Sequence, residues 1–260
     1  MDKCITRGFL HKKRAEFCPF VSYFVSKEVQ VMIVALNGRK LLTVVALLCA
    51  LQLTLTFYLL FGMSSSTTSL IDFTVVIDAG HGGVDYGVTG VNGTRESHLN
   101  LLYSRQLGKW FEQCGFNVVY TRTDEGGLYG LPTEGFKMRD MEKRRQIIED
   151  SSADIVISVH MNKYSSSYRT GAQVFFQQGN EEGQTLAQSV QDCVNKLDSR
   201  NLEVLKGDFY ITRTSDCPSV IVEFGFLSNA EEERLLNTAG RREKLTRAVF
   251  DGVMMYLYSL

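Results

Sequence analysis

Three apolar runs constrain this chain more than any other feature, because each closes on a residue that can bind a metal or move a proton. They read Val-Val-Ile-Asp-Ala-Gly-His81-Gly-Gly, Ile-Val-Ile-Ser-Val-His160 and Val-Ile-Val-Glu223-Phe-Gly. Near-continuous β-branched runs of this length are strands buried on both faces. Such strands belong to parallel sheets covered by helices, where ligands bind beyond the carboxyl ends of the strands. His81, His160 and Glu223 therefore fall on one rim, although they are far apart in sequence. Two His and a carboxylate suffice for a catalytic zinc that keeps an open position. A further Glu would serve as the base such a site needs.

The segments between these runs alternate between strand and helix patterns. Phe73–Ile77 is the first strand. Ser97–Cys114 predicts a helix with Leu99, Leu102, Tyr103, Leu107, Trp110 and Phe111 on one face, and Gly115 as its C-cap. Phe116–Tyr120 is a strand and Arg122–Gly135 a Gly-rich loop. Lys137–Asp150 is a charged helix with Met138, Met141, Ile147 and Ile148 turned inward. Asp154–Val159 and Ala172–Phe176 are strands, with a helix from about Glu182 to Leu197. Ser219–Val222 is a strand, and Ala230–Leu257 holds two helical stretches broken near Gly240. The expected class is α/β, a mostly parallel twisted sheet flanked by helices.

Ahead of this domain lies an uncharged run from Leu41 through Phe61, LLTVVALLCALQLTLTFYLLF. About 20 apolar residues cross a bilayer as a helix. Residues 1–40 carry Lys3, Arg7, Lys12, Lys13, Arg14, Lys27, Arg39 and Lys40 against Asp2, Glu16 and Glu28. A basic flank before the run keeps the N-terminus in the cytoplasm and sends the rest outside. The expected layout is a cytoplasmic segment at 1–40 and a transmembrane signal-anchor at 41–63. A Ser/Thr linker at 64–71 then leads to a single catalytic domain at 72–260. A cleaved signal peptide is the rival, although its apolar region is normally shorter. Met32 is an alternative start. A net charge of -1 gives no electrostatic case for nucleic acid. Of six Cys, only Cys114, Cys193 and Cys217 would lie outside, so a disulfide framework is excluded and buried free thiols are expected.

Each polar residue also has a plainer reading. A Gly-rich turn around His81 could cradle a phosphate, but neither a dinucleotide fingerprint nor a P-loop is present. Glu96 could be a helix-start carboxylate favoured by the dipole, and His160 a capped strand end. Glu223 could pair with Arg144 in the core; between Val222 and Phe224 its pKa is expected to rise. His98, beside Glu96, and His11, across the apolar run, stay outside the candidate set.

From Phe73 to Leu257 the chain resembles the zinc-dependent N-acetylmuramoyl-L-alanine amidases of the type-3 family. The shared residues run in order: Ile77-Asp-Ala-Gly-His-Gly-Gly-Val-Asp85-Tyr-Gly87; Glu96 with Asn100-Leu101; Tyr120-Thr-Arg-Thr-Asp124; Arg144; Ala153-Asp-Ile-Val-Ile-Ser-Val-His160-Met-Asn162; and Pro218-Ser-Val-Ile-Val-Glu223-Phe-Gly-Phe-Leu-Ser-Asn229. The chain departs at Tyr86, where Pro is common, and at Val88, where Ala is common. The stretch between His160 and Glu223 is short for the inhibitory helix that some members carry.

The resemblance implies that His81, Glu96 and His160 ligate zinc and that Glu223 is the catalytic acid/base. The implied substrate is peptidoglycan, cut between N-acetylmuramic acid and L-alanine. The layout, with a membrane segment and no wall-binding repeat, is similar to the sporulation- and germination-specific members. These act on spore cortex as a step toward muramic-δ-lactam, some with a lipoprotein activator. A vegetative autolysin of the same chemistry, or a membrane-anchored peptidoglycan-binding module without catalysis, remain the alternatives.

Overall fold

The structure is a computed structural model that describes residues 38–61 and 73–260. The expected cytoplasmic segment up to residue 37 and the linker at 64–71 lie outside the described residues, with Cys4, His11, Cys18 and Met32. The chain divides into two compact units, Met1–Ser64 and Ser65–Leu260. In the first, Gly38–Phe61 forms one helix, α1. At 1.5 Å per residue it is about 36 Å long. Leu42, Leu47, Leu48, Leu51 and Leu53 on it are all exposed. The side chains of α1 are described only at 42–54 and 56, and among the described residues no helix is long and apolar enough to cross a membrane.

In the second unit the elements follow in the order β1 (Thr74–Ala79), α2 (Glu96–Gln113), β2 (Asn117–Tyr120), α3 (Phe136–Asp150), β3 (Ile155–Asn162), β4 (Gln173–Gln177), α4 (Glu181–Asp198), β5 (Leu205–Gly207), α5 (Tyr210–Thr214), β6 (Ser219–Phe226), α6 (Ala230–Leu236) and α7 (Ala239–Ser259). The sheet order is β2-β1-β3-β6-β4-β5. β2, β1, β3 and β6 are parallel, so their carboxyl ends share one rim.

The sheet is mostly parallel, as expected, but it is mixed, since one of its five strand pairings is antiparallel. β4 runs antiparallel to β6, and β5 is parallel to β4. The cause is the connection from β3 to β4, residues 163–172, which contains no helix. A parallel return needs a crossover of about a dozen residues or more. Starting at the rim where β3 ended, β4 can only run back. β5 and α5, of three and five residues, are too short to show a periodicity and were not expected.

One face of the sheet carries the larger core. Val75, Ile77, Ile157 and Val222 pack there with Leu99, Tyr103, Leu107 and Phe111 of α2 and with residues of α4 and α7. Fully burying a side chain of this size contributes about 1.5–3 kcal/mol. The other face is thinner, with Val76, Val156, Ile148 of α3 and Ile211 of α5. The inward side of α3 holds for Ile148, which is buried, and for Met141 and Ile147, which are half-buried, but not for Met138. Met138 is exposed, and the buried residues are Asp140, Arg144 and Ile148, at i, i+4 and i+8. Cys49, Cys114, Cys193 and Cys217 are free, but none is fully buried and Cys114 is exposed, against the expectation of buried thiols.

Candidate active site

The site is built on the rim where β1, β3 and β6 end. β1 stops at Ala79, and the chain turns through His81, Gly82 and Gly83 with φ of 62°, 142° and 61°. A non-glycine residue held in the left-handed region costs about 1–3 kcal/mol and persists only where its surroundings over-determine it. Here they do. Arg144 Nη2 donates to the His81 carbonyl at 2.6 Å, and Arg144 Nη1 donates to that of Ala79 at 2.7 Å. Arg122 donates to the carbonyls of Ala79 at 2.9 Å and Gly80 at 3.0 Å.

The turn presents the His81 imidazole to two carboxylates. Its Nδ1 lies 3.0 Å from Asp85 Oδ2, and its Nε2 lies 3.4 Å from Glu96 Oε1. Glu96 opens α2 and is 3% exposed. Its Oε1 is 2.9 Å from His160 Nδ1 and accepts from Asn100 Nδ2 at 3.3 Å. Its Oε2 accepts from the Val88 amide at 2.8 Å. The two imidazoles meet edge to face, 5.1 Å between centroids. Two glycines allow this approach. A Cβ on Gly80 would overlap the His160 ring, and one on Gly87, at φ 67°, would overlap Glu96.

Donor atoms of His81, Glu96 and His160 all lie within 4.8 Å of one another. Zinc holds such donors at about 2.0–2.2 Å, which separates neighbouring tetrahedral donors by roughly 3.3–3.6 Å. The observed 3.4 Å from Glu96 to His81 falls in that range, and the 2.9 Å to His160 lies somewhat below it. Nitrogen donors with one carboxylate suit zinc by chemistry as well. Asp85 behind His81 is the kind of outer carboxylate that orients a ligating imidazole.

Glu223 faces His160 directly across the β3–β6 ladder. Its Oε2 is buried and finds no hydrogen-bond partner in the protein. Burial lifts its pKa to about 7, the nearby His160 opposing and the Glu96 charge adding to the rise. A carboxyl poised there suits proton transfer near neutral pH. Glu223 lines a cavity of about 290 Å³ together with His81, His160, Lys137, Met141 and Tyr210.

The expected alternative of a Glu223–Arg144 pair is not found. Arg144, 1% exposed, binds Asp78 Oδ1 and Asp140 Oδ2, each at 2.6 Å. Asp78 is buried, which alone would raise its pKa, but Arg144, Ser158 and Thr121 hold it down at about 2. Breaking a buried pair of this kind costs about 3–5 kcal/mol. His98 binds Glu125 at 2.7 Å on an exposed surface and stays outside the donor cluster. Asp78 and Arg122 stand within the shared motifs without an assigned role, and Asp140 lies outside them. One signal was available, since a carboxylate inside the apolar run Val-Val-Ile-Asp-Ala needs a buried cation.

Without metal, burial pulls the His81 pKa down, but the hydrogen bonds and charges of Glu96 and Asp85 outweigh it and raise the value to about 9. Burial pushes Glu96 the other way, yet the two His hold its carboxyl well below the usual range. A raised His pKa contributes stability that is complete below the unfolded value of about 6.5 and is lost as pH rises through the folded value. The chelated protein is therefore expected to lose melting temperature between pH 6.5 and 9. Zinc must displace that proton to bind, so the loaded protein should not show the same slope. A thermal scan series with and without chelator tests this, and identical slopes in both forms would contradict it.

Comparison with known proteins bears on the whole domain. The N-acetylmuramoyl-L-alanine amidase family matches residues 75–255. The solved structure of the CwlD amidase from Clostridioides difficile, in complex with the GerS lipoprotein, superposes with a TM-score of 0.70 at 31% identity, covering 73% of this chain and 100% of that one. Protein YqiI of Bacillus subtilis is 32% identical over 186 residues, 70% of this chain and 84% of that protein. The germination-specific N-acetylmuramoyl-L-alanine amidase of Bacillus subtilis is 28% identical over 188 residues, 70% of this chain and 78% of that protein. The matched span runs from β1 into α7 and takes in the whole rim, and the chain accordingly belongs to the N-acetylmuramoyl-L-alanine amidase family.

Proposed function

We propose that this amidase uses zinc held by His81, Glu96 and His160, and that Glu223 is its acid/base. The observation that carries the proposal is the convergence of these three donors on one rim, beside Glu223, whose buried Oε2 has no hydrogen-bond partner in the protein. When bound, zinc would polarise the scissile carbonyl and make water a better nucleophile. Glu223 accepts the proton of the attacking water. It then returns that proton to the departing L-alanine nitrogen, so one group serves both halves of the hydrolysis. Asp85 holds the His81 ring, and the Val88 amide and Asn100 fix the Glu96 carboxylate. The test is mass spectrometry of peptidoglycan fragments after incubation with the purified chain and zinc. Free stem peptides starting at L-alanine are expected. Glycopeptides left intact by a folded, zinc-loaded preparation would favour a binding module instead.

We further propose a spore-cortex substrate, in which removal of the stem peptide prepares muramic acid for the δ-lactam. The germination-specific relative and the CwlD structure support this reading. The lipoprotein in that structure makes a lipoprotein activator the partner to test first. Spores made without this chain should lack muramic-δ-lactam, and normal lactam would point to the vegetative wall.

The apolar run 41–61 and the exposed leucines of α1 support a membrane anchor, because an apolar helix with its side chains uncovered needs an apolar surrounding. With the basic flank inside, the catalytic unit faces the wall, in the forespore intermembrane space on the cortex reading. Protease added to intact protoplasts is then expected to remove residues 72–260. Cleavage only after lysis would contradict the anchor's orientation.

A further inference from the structure

Beneath the loop that carries His81 lies a buried guanidinium that takes no part in the proton transfers assigned above. We propose that Arg144, seated on Asp78 and Asp140, is a positioning residue for the metal, fixing the left-handed backbone at His81 and so aiming its imidazole at Glu96 and His160. This rests on the reading of His81 as a metal ligand.

All three carbonyls of the turn, Ala79, Gly80 and His81, accept hydrogen bonds from buried guanidinium groups. A peptide unit held in this way cannot flip without leaving a buried donor unpaired, which is costly. Of the two arginines, only Arg144 reaches the His81 carbonyl itself, at 2.6 Å. Its other two edges are occupied by Asp140 Oδ2 at Nε and Asp78 Oδ1 at Nη1, each at 2.6 Å. The guanidinium is therefore clamped between its own helix and the end of β1, and the His81 backbone inherits that rigidity.

The cluster is electrically balanced, with Arg122 and Arg144 against Asp78 and Asp140. Two charges of each sign cancel, so the group adds little field at the metal and acts through geometry. Burying it does not serve stability well either, since apolar side chains of similar volume are often as good or better. Lysine is a poor substitute, because one ammonium on a flexible stem cannot reproduce a planar fork that spans two carbonyls and two carboxylates.

The experiment compares the full chain with Arg144→Lys and Asp140→Asn, all stripped of metal. Zinc dissociation constants are measured by chelator competition at a temperature where circular dichroism shows each protein fully folded. Outer-shell partners of a metal ligand typically carry 10–100-fold in affinity. Arg144→Lys should therefore bind zinc at least about tenfold more weakly. Asp140→Asn, which frees only the Nε edge, should show a smaller loss. A merely structural role would lower the melting temperature of the metal-free protein but leave zinc affinity unchanged below it. That outcome overturns the proposal. If Arg144→Lys does not fold, Asp140→Asn decides alone, and unchanged affinity there overturns it too. A wild-type chain that binds no zinc defeats the metal reading itself, which keeps the two failures distinguishable.

Discussion

His81→Ala is expected to abolish stoichiometric zinc and, with it, amidase turnover, while the sheet remains folded. The imidazole is one of three donors, held between Asp85 at Nδ1 and Glu96 at Nε2. Changes one shell further out typically cost 10–100-fold in metal affinity, so loss of a ligand should exceed about 100-fold. The backbone complicates this variant, because position 81 sits at φ 62°. Alanine tolerates that region less well than histidine does. His81→Asn is the better companion, since asparagine enters the left-handed region readily. Both variants should retain the β1–β3 pairing, which depends on Val75 to Ala79 and not on the ring. Zinc content by elemental analysis and turnover on one preparation decide the matter. Normal zinc in His81→Asn and in His160→Ala would remove both residues from the ligand set.

The residues on the rim were legible because strand ends are legible. Apolar runs without alternation located β1, β3 and β6, and the topology rule for parallel strands placed the residues that follow them on one side. The amphipathic face of α2 was equally visible, and Leu99, Tyr103, Leu107 and Phe111 are all fully buried. What could not be read was the direction of β4, which depends on the helix-free connection before it and not on its own sequence. The inner face of α3 is legible only in part, at Met141, Ile147 and Ile148, for a different reason. Hydrophobic spacing favoured Met138, yet that face meets Asp78, whose buried charge demands Arg144 and Asp140 instead. A polar core shows no periodicity until its partner strand is known. The Gly-rich turn was recognised as permissive, but the strain at His81 and the arginines that hold it belong to tertiary contacts more than 40 residues apart in sequence.

Glu223→Gln should separate chemistry from structure more cleanly than any other change in the site. The substitution keeps shape and removes only the group that takes and returns a proton. Because Arg144 is engaged by Asp78 and Asp140, the amide leaves no buried cation unpaired. Stability should therefore not suffer. The sign follows from the raised pKa. Burial holds the native carboxyl at about 7, above its unfolded value of about 4.5, so ionising it destabilises the native metal-free protein progressively as pH rises from about 4.5 through 7. A glutamine cannot ionise, and at pH 8 the metal-free variant should melt no lower than the wild type. Zinc content should be unchanged, since His81, Glu96 and His160 are intact. Turnover is another matter. General acid–base groups typically contribute about 10²–10⁴-fold, and here one group serves both water activation and amine departure, so a fall of at least about 10²-fold is expected. Melting temperature, zinc content and release of L-alanine amino groups should be measured on a single preparation. A folded, zinc-loaded Glu223→Gln protein with near-normal turnover would exclude Glu223 as the acid/base. A variant that loses zinc along with activity would instead make Glu223 part of the metal's own support.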